Sequence, residues 1–289
     1  MEGPGHERSG GQPGGDFTRE GAEALIGRIE RALGEGALDA RALAFDADGT
    51  LWDGDVGVDL FEAFLAARGA RAEVEAALRG EAEAFGVAVA DEPGAGGAHA
   101  AARALYDAFS AERYPEDRAF PMMAWAFTGW TEDEMGAFAE RVLEEGRIDA
   151  RIRPALRRVL DWASSRSIDV FVVSASPRAI VERGVRRLGI PASRVHAMTP
   201  AIRDGRLAPE LALPATYGDG KVRALERALP SLSRGAASSS APSPLLAAFG
   251  DSAYDAAMLR VARVPVAVTP SPGLLALTAT LPGLIVLDL

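Results

Sequence analysis

The 289-residue chain has no cysteine. That excludes a disulfide framework, a zinc–thiolate site, an iron–sulfur cluster and a thiol nucleophile. Its three histidines, His6, His99 and His196, are too few for a multi-histidine metal centre. No run approaches the ~18 consecutive apolar residues of a membrane span. Basic residues are in deficit: 31 Lys+Arg against 41 Asp+Glu leave a formal charge of −10. Such a balance repels polyanions and speaks against a nucleic-acid partner. The first fifteen residues hold six glycines and two prolines and no apolar core. Residues 1–17 therefore read as a disordered leader and not as a signal peptide, and the expected location is the cytoplasm. What remains is ordinary globular composition, 48% hydrophobic and 25% charged, in a chain long enough for one large α/β domain or a domain with an insertion.

Apolar periodicity divides the rest of the chain. Leu25, Ile26, Ile29 and Leu33 recur at helical spacing, with Gly34 and Gly36 as stops. A short apolar run, Leu43-Ala44-Phe45, then ends in Asp46-Ala47-Asp48-Gly49-Thr50. From 55 to 147 the pattern is helical, with helices expected over 59–67, 72–85, 98–109 and 132–143 and a break at the Pro93–Gly97 cluster. An α/β rhythm resumes with a helix over 156–162 and a nearly unbroken apolar strand over 168–173, as buried parallel strands are. Beyond it come a helix over 178–188, a strand near 195–198 and a hairpin turning at Asp204-Gly205. A helix over 221–229, a long Ser/Ala/Pro-rich loop over 231–244 and a strand over 246–249 follow. A last helix over 253–261 and strands at 266–268 and 284–287 complete the pattern. The expected fold class is α/β: a Rossmann-like, doubly wound, mainly parallel sheet core (18–54 and 148–289) with an inserted α-helical cap (55–147).

Three of these strands end in polar residues: Asp46/Asp48/Thr50, Ser174/Ser176 and Asp251/Asp255, with Lys221 opening the helix before the last strand. In an open parallel sheet, ligands sit beyond the carboxyl ends of the strands, so neighbouring strands would bring these groups to one crevice. Clustered carboxylates repel, and a hard cation is the simplest way to keep them ionised together. Oxygen-only ligands favour Mg²⁺, which keeps positions open for a substrate phosphate. Competing motifs fail on residues. An EF-hand starting at Asp46 needs a glutamate where Gly57 stands, and a P-loop at Lys221 needs a hydroxyl where Val222 stands. Asp53 reads as part of the turn, and Ser252 as a helix N-cap.

The order Asp46-Ala47-Asp48-Gly49-Thr50, Ser174 after a strand, Lys221, then Gly250-Asp251-Ser252-Ala253-Tyr254-Asp255 resembles the four motifs of the haloacid dehalogenase superfamily, in particular its phosphoserine-phosphatase-like branch. The resemblance covers about residues 41–289 and implies a role for each position. Asp46 would be the nucleophile that forms an aspartyl-phosphate, and Asp48 the general acid and base. Thr50, Ser174, the Ala175 N–H and Lys221 would bind the phosphoryl group. Asp46, the Asp48 carbonyl and Asp251 would ligate Mg²⁺, with Asp255 acting behind them or through water. Asp55, nine positions after Asp46, would receive a substrate ammonium.

The insertion implies a cap that admits a small phosphorylated metabolite and not a macromolecule. The arginine that phosphoserine phosphatases use for the substrate carboxylate has no counterpart in register, since Arg113 and Arg118 are displaced from it. Trp52, Trp125 and Trp130 are either cap core or a cation-binding surface. Nine arginines against three acidic residues over 151–187 read as solvated helix faces. The activity implied is a Mg²⁺-dependent phosphatase acting on a small phosphomonoester. A phosphotransferase using the same chemistry and a non-catalytic small-molecule-binding relative are the alternatives. Nothing in the sequence specifies an oligomeric state.

Overall fold

A computed structural model describes residues 17–34, 41–230, 232 and 243–289. Most of the Gly-rich leader, Gly36 and most of the 231–244 loop lie outside the described residues. The core is a seven-stranded sheet in the order β1-β9-β8-β7-β2-β3-β4, and every pairing in it is parallel. The strands are β1 (Thr18–Glu20), β2 (Ala42–Phe45), β3 (Asp169–Pro177), β4 (Val195–Met198), β7 (Leu245–Gly250), β8 (Val264–Val268) and β9 (Ile285–Leu287). β2, β7 and β8 are buried along their whole length. That is why they read as unbroken apolar runs and not as alternating ones.

Alternation still decides which layer each side chain enters. Leu43 and Phe45 join the cluster on one face of the sheet, and Ala42 and Ala44 join the other. Phe45 stacks on its cross-strand partner Phe249 at 4.1 Å between ring centroids. The first face carries helices α1 (Ala22–Gly34), α8 (Pro154–Ser165) and α9 (Arg178–Arg186); the second carries α10 (Asp219–Ala228), α11 (Ala256–Arg260) and α12 (Pro272–Leu275). Among the described residues no helix is long and apolar enough to cross a membrane.

Between β2 and β3 lie α2 (Val56–Ala66), α3 (Glu75–Ala84), α4 (Gly94–Ser110), α5 (Glu116–Trp125), α6 (Glu132–Glu145) and the short α7 (Ile148–Arg151). α6 opens on a capping box, with the Thr131 hydroxyl accepting from the Glu134 N–H and the Glu134 carboxylate accepting from the Thr131 N–H. The hairpin β5 (Pro200–Arg203) and β6 (Arg206–Leu211) forms a separate two-stranded sheet. Its turn has positive φ at both Asp204 and Gly205, as an Asp-Gly type I′ turn requires. It is pinned to the helical block by reciprocal main-chain bonds between Leu207 and the Gly129-Trp130 segment.

Three expectations need correction. α4 begins at Gly94, inside the cluster read as a break, because the glycines fall in its first turn, where missing side chains cost little. α5 was not expected; Pro121 is the sixth of its ten residues, an interior position where a proline forfeits the backbone bond to the carbonyl four residues back. β1 was not expected either; it is a three-residue edge strand parallel to β9.

Candidate active site

β2 lies between β3 and β7, so Asp46 at the end of β2, Ser174 near the end of β3 and Asp251 just past β7 emerge side by side. The Asp46 N–H continues the ladder by donating to the Phe249 carbonyl at 2.9 Å. Here the chain order reverses direction across the sheet, the switch point where open α/β sheets hold ligands. A cavity of about 370 Å³ opens there, lined by Asp46, Asp48, Asp55, Ser174, Ala175, Lys221 and Asp251 among others. Of the expected site residues, only Thr50 and Asp255 are outside its lining.

Buried charge organises the floor. The Lys221 ammonium donates to Asp46 Oδ1 at 2.6 Å and to Asp255 Oδ1, and all three side chains are buried. Burial opposes the ammonium, but Asp255 and Asp46 together outweigh it and hold Lys221 above its ordinary pKa. Asp46 is pushed well up, by burial first and then by Asp255, Asp251 and Asp48, against the pull of Lys221. Asp251 rises to about 7, from burial and then the Asp255 charge. The second oxygen of Asp255 accepts from the Asp251 N–H, the Ser252 N–H and the Ser252 hydroxyl at 3.0–3.1 Å. Asp255 thus ties the lysine to the loop that carries Asp251, and Ser252 is the N-cap read from sequence.

Asp48 is held by three donors: Trp52 Nε1 at 2.9 Å, the Val56 N–H at 2.7 Å and the Ser176 hydroxyl at 2.7 Å. Burial raises its pKa, and these bonds only partly offset it. Gly49 bends the loop at φ +69, and a Cβ there would lie 2.4 Å from Asp251 Oδ2, so two motifs pack backbone against carboxylate. Asp55 caps α2 by accepting from the Val58 N–H at 2.8 Å, and burial, followed by the Asp48 charge, raises it to about 7. The Ser174 hydroxyl accepts from the Ser176 N–H at 3.0 Å.

Several expectations are revised by this geometry. Thr50 is fully buried with its hydroxyl unpartnered among the described residues, and it is not among the residues that line the cavity. Trp52 is core and a hydrogen-bond donor to Asp48, and no tryptophan lines the cavity. Arg151 and Arg153 are not solvated faces: they grip the Asp46–Asp55 loop from outside, through the Asp53 carbonyl at 2.6 Å and the Gly49 carbonyl at 3.0 Å. Asp53 belongs to that turn, as read. Arg118 pairs with Glu81, and neither it nor Arg113 reaches the cavity. Ser176, Glu116, Phe120, Tyr217 and Tyr254 line the cavity and were not expected as site residues. Of these only Ser176 carried a sequence signal, as a polar residue at a strand end.

The donor set suits a hard divalent cation. One carboxylate oxygen from each of Asp46, Asp251 and Asp255 lies within 4.8 Å of the others. The raised pKa values of Asp46 and Asp251 are the electrostatic debt that a bound cation removes. All these side-chain donors are oxygen, and neither nitrogen nor sulfur is offered, which fits Mg²⁺ better than a softer metal.

A family model described as haloacid dehalogenase-like hydrolase matches residues 43–260. Among curated proteins, none matches the chain by sequence. Similar solved structures include a protein of unknown function from Bordetella pertussis Tohama I, with TM-score 0.61 and 20% identity over 86% of this chain and 98% of that one. Another is a conserved protein of unknown function from Anaerococcus prevotii DSM 20548, with TM-score 0.56 and 13% identity over 87% of this chain and 86% of that one. A substrate-bound phosphoserine phosphatase aligns with TM-score 0.49 and 14% identity over 86% of this chain and 94% of that one. The first two likenesses concern the fold.

Proposed function

The chain belongs to the haloacid dehalogenase-like hydrolases, and from that premise we propose that it is a Mg²⁺-dependent phosphatase acting on a small phosphomonoester through an aspartyl-phosphate on Asp46. The observation that carries this reading is the buried 2.6 Å contact between Lys221 and Asp46 on the floor of a cavity also lined by Asp48, Ser174 and Asp251. A fixed ammonium beside a carboxylate nucleophile compensates the charge that gathers on a transferring phosphoryl group, at no cost in reorganisation.

In this mechanism an Asp46 oxygen attacks phosphorus in line with the ester oxygen. The ester P–O bond breaks with its electron pair on the leaving alkoxide, and Asp48, protonated at the outset, supplies the proton that makes it an alcohol. The raised pKa of Asp48, caused by burial, supports that starting state. Asp48 then takes a proton from water as it attacks the phosphoryl group. The acyl phosphate P–O bond breaks, Asp46 recovers its electron pair, and inorganic phosphate leaves. The Ser174 hydroxyl and the Ala175 N–H hold phosphoryl oxygens throughout. Asp46, Asp251 and the Asp48 carbonyl would hold the Mg²⁺, which when bound supplies positive charge to the phosphoryl oxygens and lets the crowded carboxylates ionise. Residues 55–147 act as a cap that excludes water and limits substrates to small phosphorylated metabolites.

The test is hydrolysis of an aryl phosphate with Mg²⁺. Activity is expected to vanish in EDTA and to fall by about 10³-fold or more in Asp46→Asn. Turnover that survives either change overturns the mechanism.

A further inference from the structure

Beyond the groups assigned to phosphoryl transfer, the cavity is lined by Asp55, Glu116, Phe120, Tyr217 and Tyr254. Glu116 is the first residue of α5, and its carboxylate accepts from the Tyr217 hydroxyl at 3.2 Å. The Tyr217 ring lies 4.4 Å from Tyr254 and 5.8 Å from Phe120 between centroids, so three rings from three distant segments form one wall. Asp55 and Glu116 each have one oxygen engaged by a neutral donor. The lining holds five carboxylates and one cation, Lys221, which is already shared between Asp46 and Asp255. No arginine or histidine lines the cavity among the described residues.

A divalent cation would offset a dianionic phosphate ester and leave Glu116, which pairs with no cationic side chain among the described residues, unanswered in the cavity wall. We propose that the cavity selects phosphomonoesters whose alcohol carries an alkylammonium group and no carboxylate, with Glu116, Phe120, Tyr217 and Tyr254 receiving the ammonium. This rests on the phosphatase reading above. An ammonium beside Glu116 gains Coulomb energy in a partly desolvated site, and its alkyl groups gain contact with aromatic surface. A substrate carboxylate would meet Glu116 and Asp55 with no cation to receive it, and that repulsion supplies the discrimination.

The experiment measures phosphate release, with Mg²⁺, from phosphoethanolamine, phosphocholine, phosphoserine and glycerol phosphate, with an aryl phosphate as control. At least one of the first two is expected to exceed both others by about tenfold or more in kcat/KM, equivalent to ~1.4 kcal/mol. Glu116→Gln should reduce that preference by about tenfold, chiefly through KM. Tyr254→Ala, at a residue 40% exposed, should reduce it in the same direction and serves as the second variant if Glu116→Gln does not fold. Equal or better turnover of glycerol phosphate or phosphoserine overturns the inference, as does a preference that both variants leave intact. Turnover of the aryl phosphate with none of the four esters overturns it as well. Failure to hydrolyse any of the five removes the phosphatase reading itself.

Discussion

Lys221 lies between the carboxylates of Asp46 and Asp255 with its side chain almost wholly out of solvent. Replacing it with methionine keeps the volume but leaves two buried carboxylates without their cation. Such a loss costs ~3–5 kcal/mol. Lys221→Met is therefore expected to lower the denaturation midpoint strongly as well as abolish turnover; an unchanged midpoint would contradict the buried ion-pair geometry. Asp55 and Asp251 work in the opposite sense. Each titrates near 7 in the fold, against an ordinary 3.8. Below pH ~4 the unfolded chain holds these protons too, and there is no penalty. Between pH ~4 and ~7 the unfolded chain releases them while the folded protein keeps them, so metal-free stability falls as pH rises and levels off above that window. Thermal melts across this range should show the fall, and Mg²⁺ should raise the melting temperature more at pH 8 than at pH 5, because binding displaces those protons. Equal stabilisation by Mg²⁺ at both values would contradict Asp251 as a ligand. Asp46, Asp48, Ser174, Lys221 and Asp251 were legible in the sequence because each follows an apolar strand or opens a helix at short, fixed spacing. Glu116, Tyr217 and Tyr254 were not, because nothing local distinguishes them from surface residues until the fold brings three segments together.

At the scale of elements, the parallel strands were legible wherever burial on both faces made them continuously apolar, as in β2, β3 and β7. β1 was hidden by its polar edge sequence, Thr18-Arg19-Glu20, which pairs with β9 through its main chain. α5 was not singled out in the sequence, and with it went Glu116 and Phe120, the helical block's contribution to the cavity wall. α6 offers a test of the local reasoning. Its capping box satisfies two otherwise free N–H groups, and removing the hydroxyl should cost ~1 kcal/mol. Thr131→Ala is expected to lower stability by that amount in urea denaturation without changing the fold. No measurable loss would mean that water serves the cap equally well.

Across the whole molecule, the net charge of −10 resolves into distinct parts. Some carboxylates are lashed to arginines at the surface, such as Glu81 with Arg118 and Asp59 with Arg151, where each pair contributes little. The consequential ones are Asp46, Asp48, Asp55 and Asp251, crowded into the cavity at the end of β2, where burial raises their pKa values, and Lys221 joins Asp46 to the buried Asp255 behind it. Two arginines clamp the Asp46–Asp55 loop from behind, through Gly49 and Asp53, so sheet, loop and helical block converge on Asp46, the proposed nucleophile. The most direct measurement of that claim is to mix the Mg²⁺-loaded enzyme with a turned-over phosphomonoester, quench in acid and map the phosphoryl group by peptide mass spectrometry. One phosphoryl group on Asp46, absent in Asp46→Asn, is the expected result; a phosphoryl group on Ser174 or another residue would contradict the proposed mechanism.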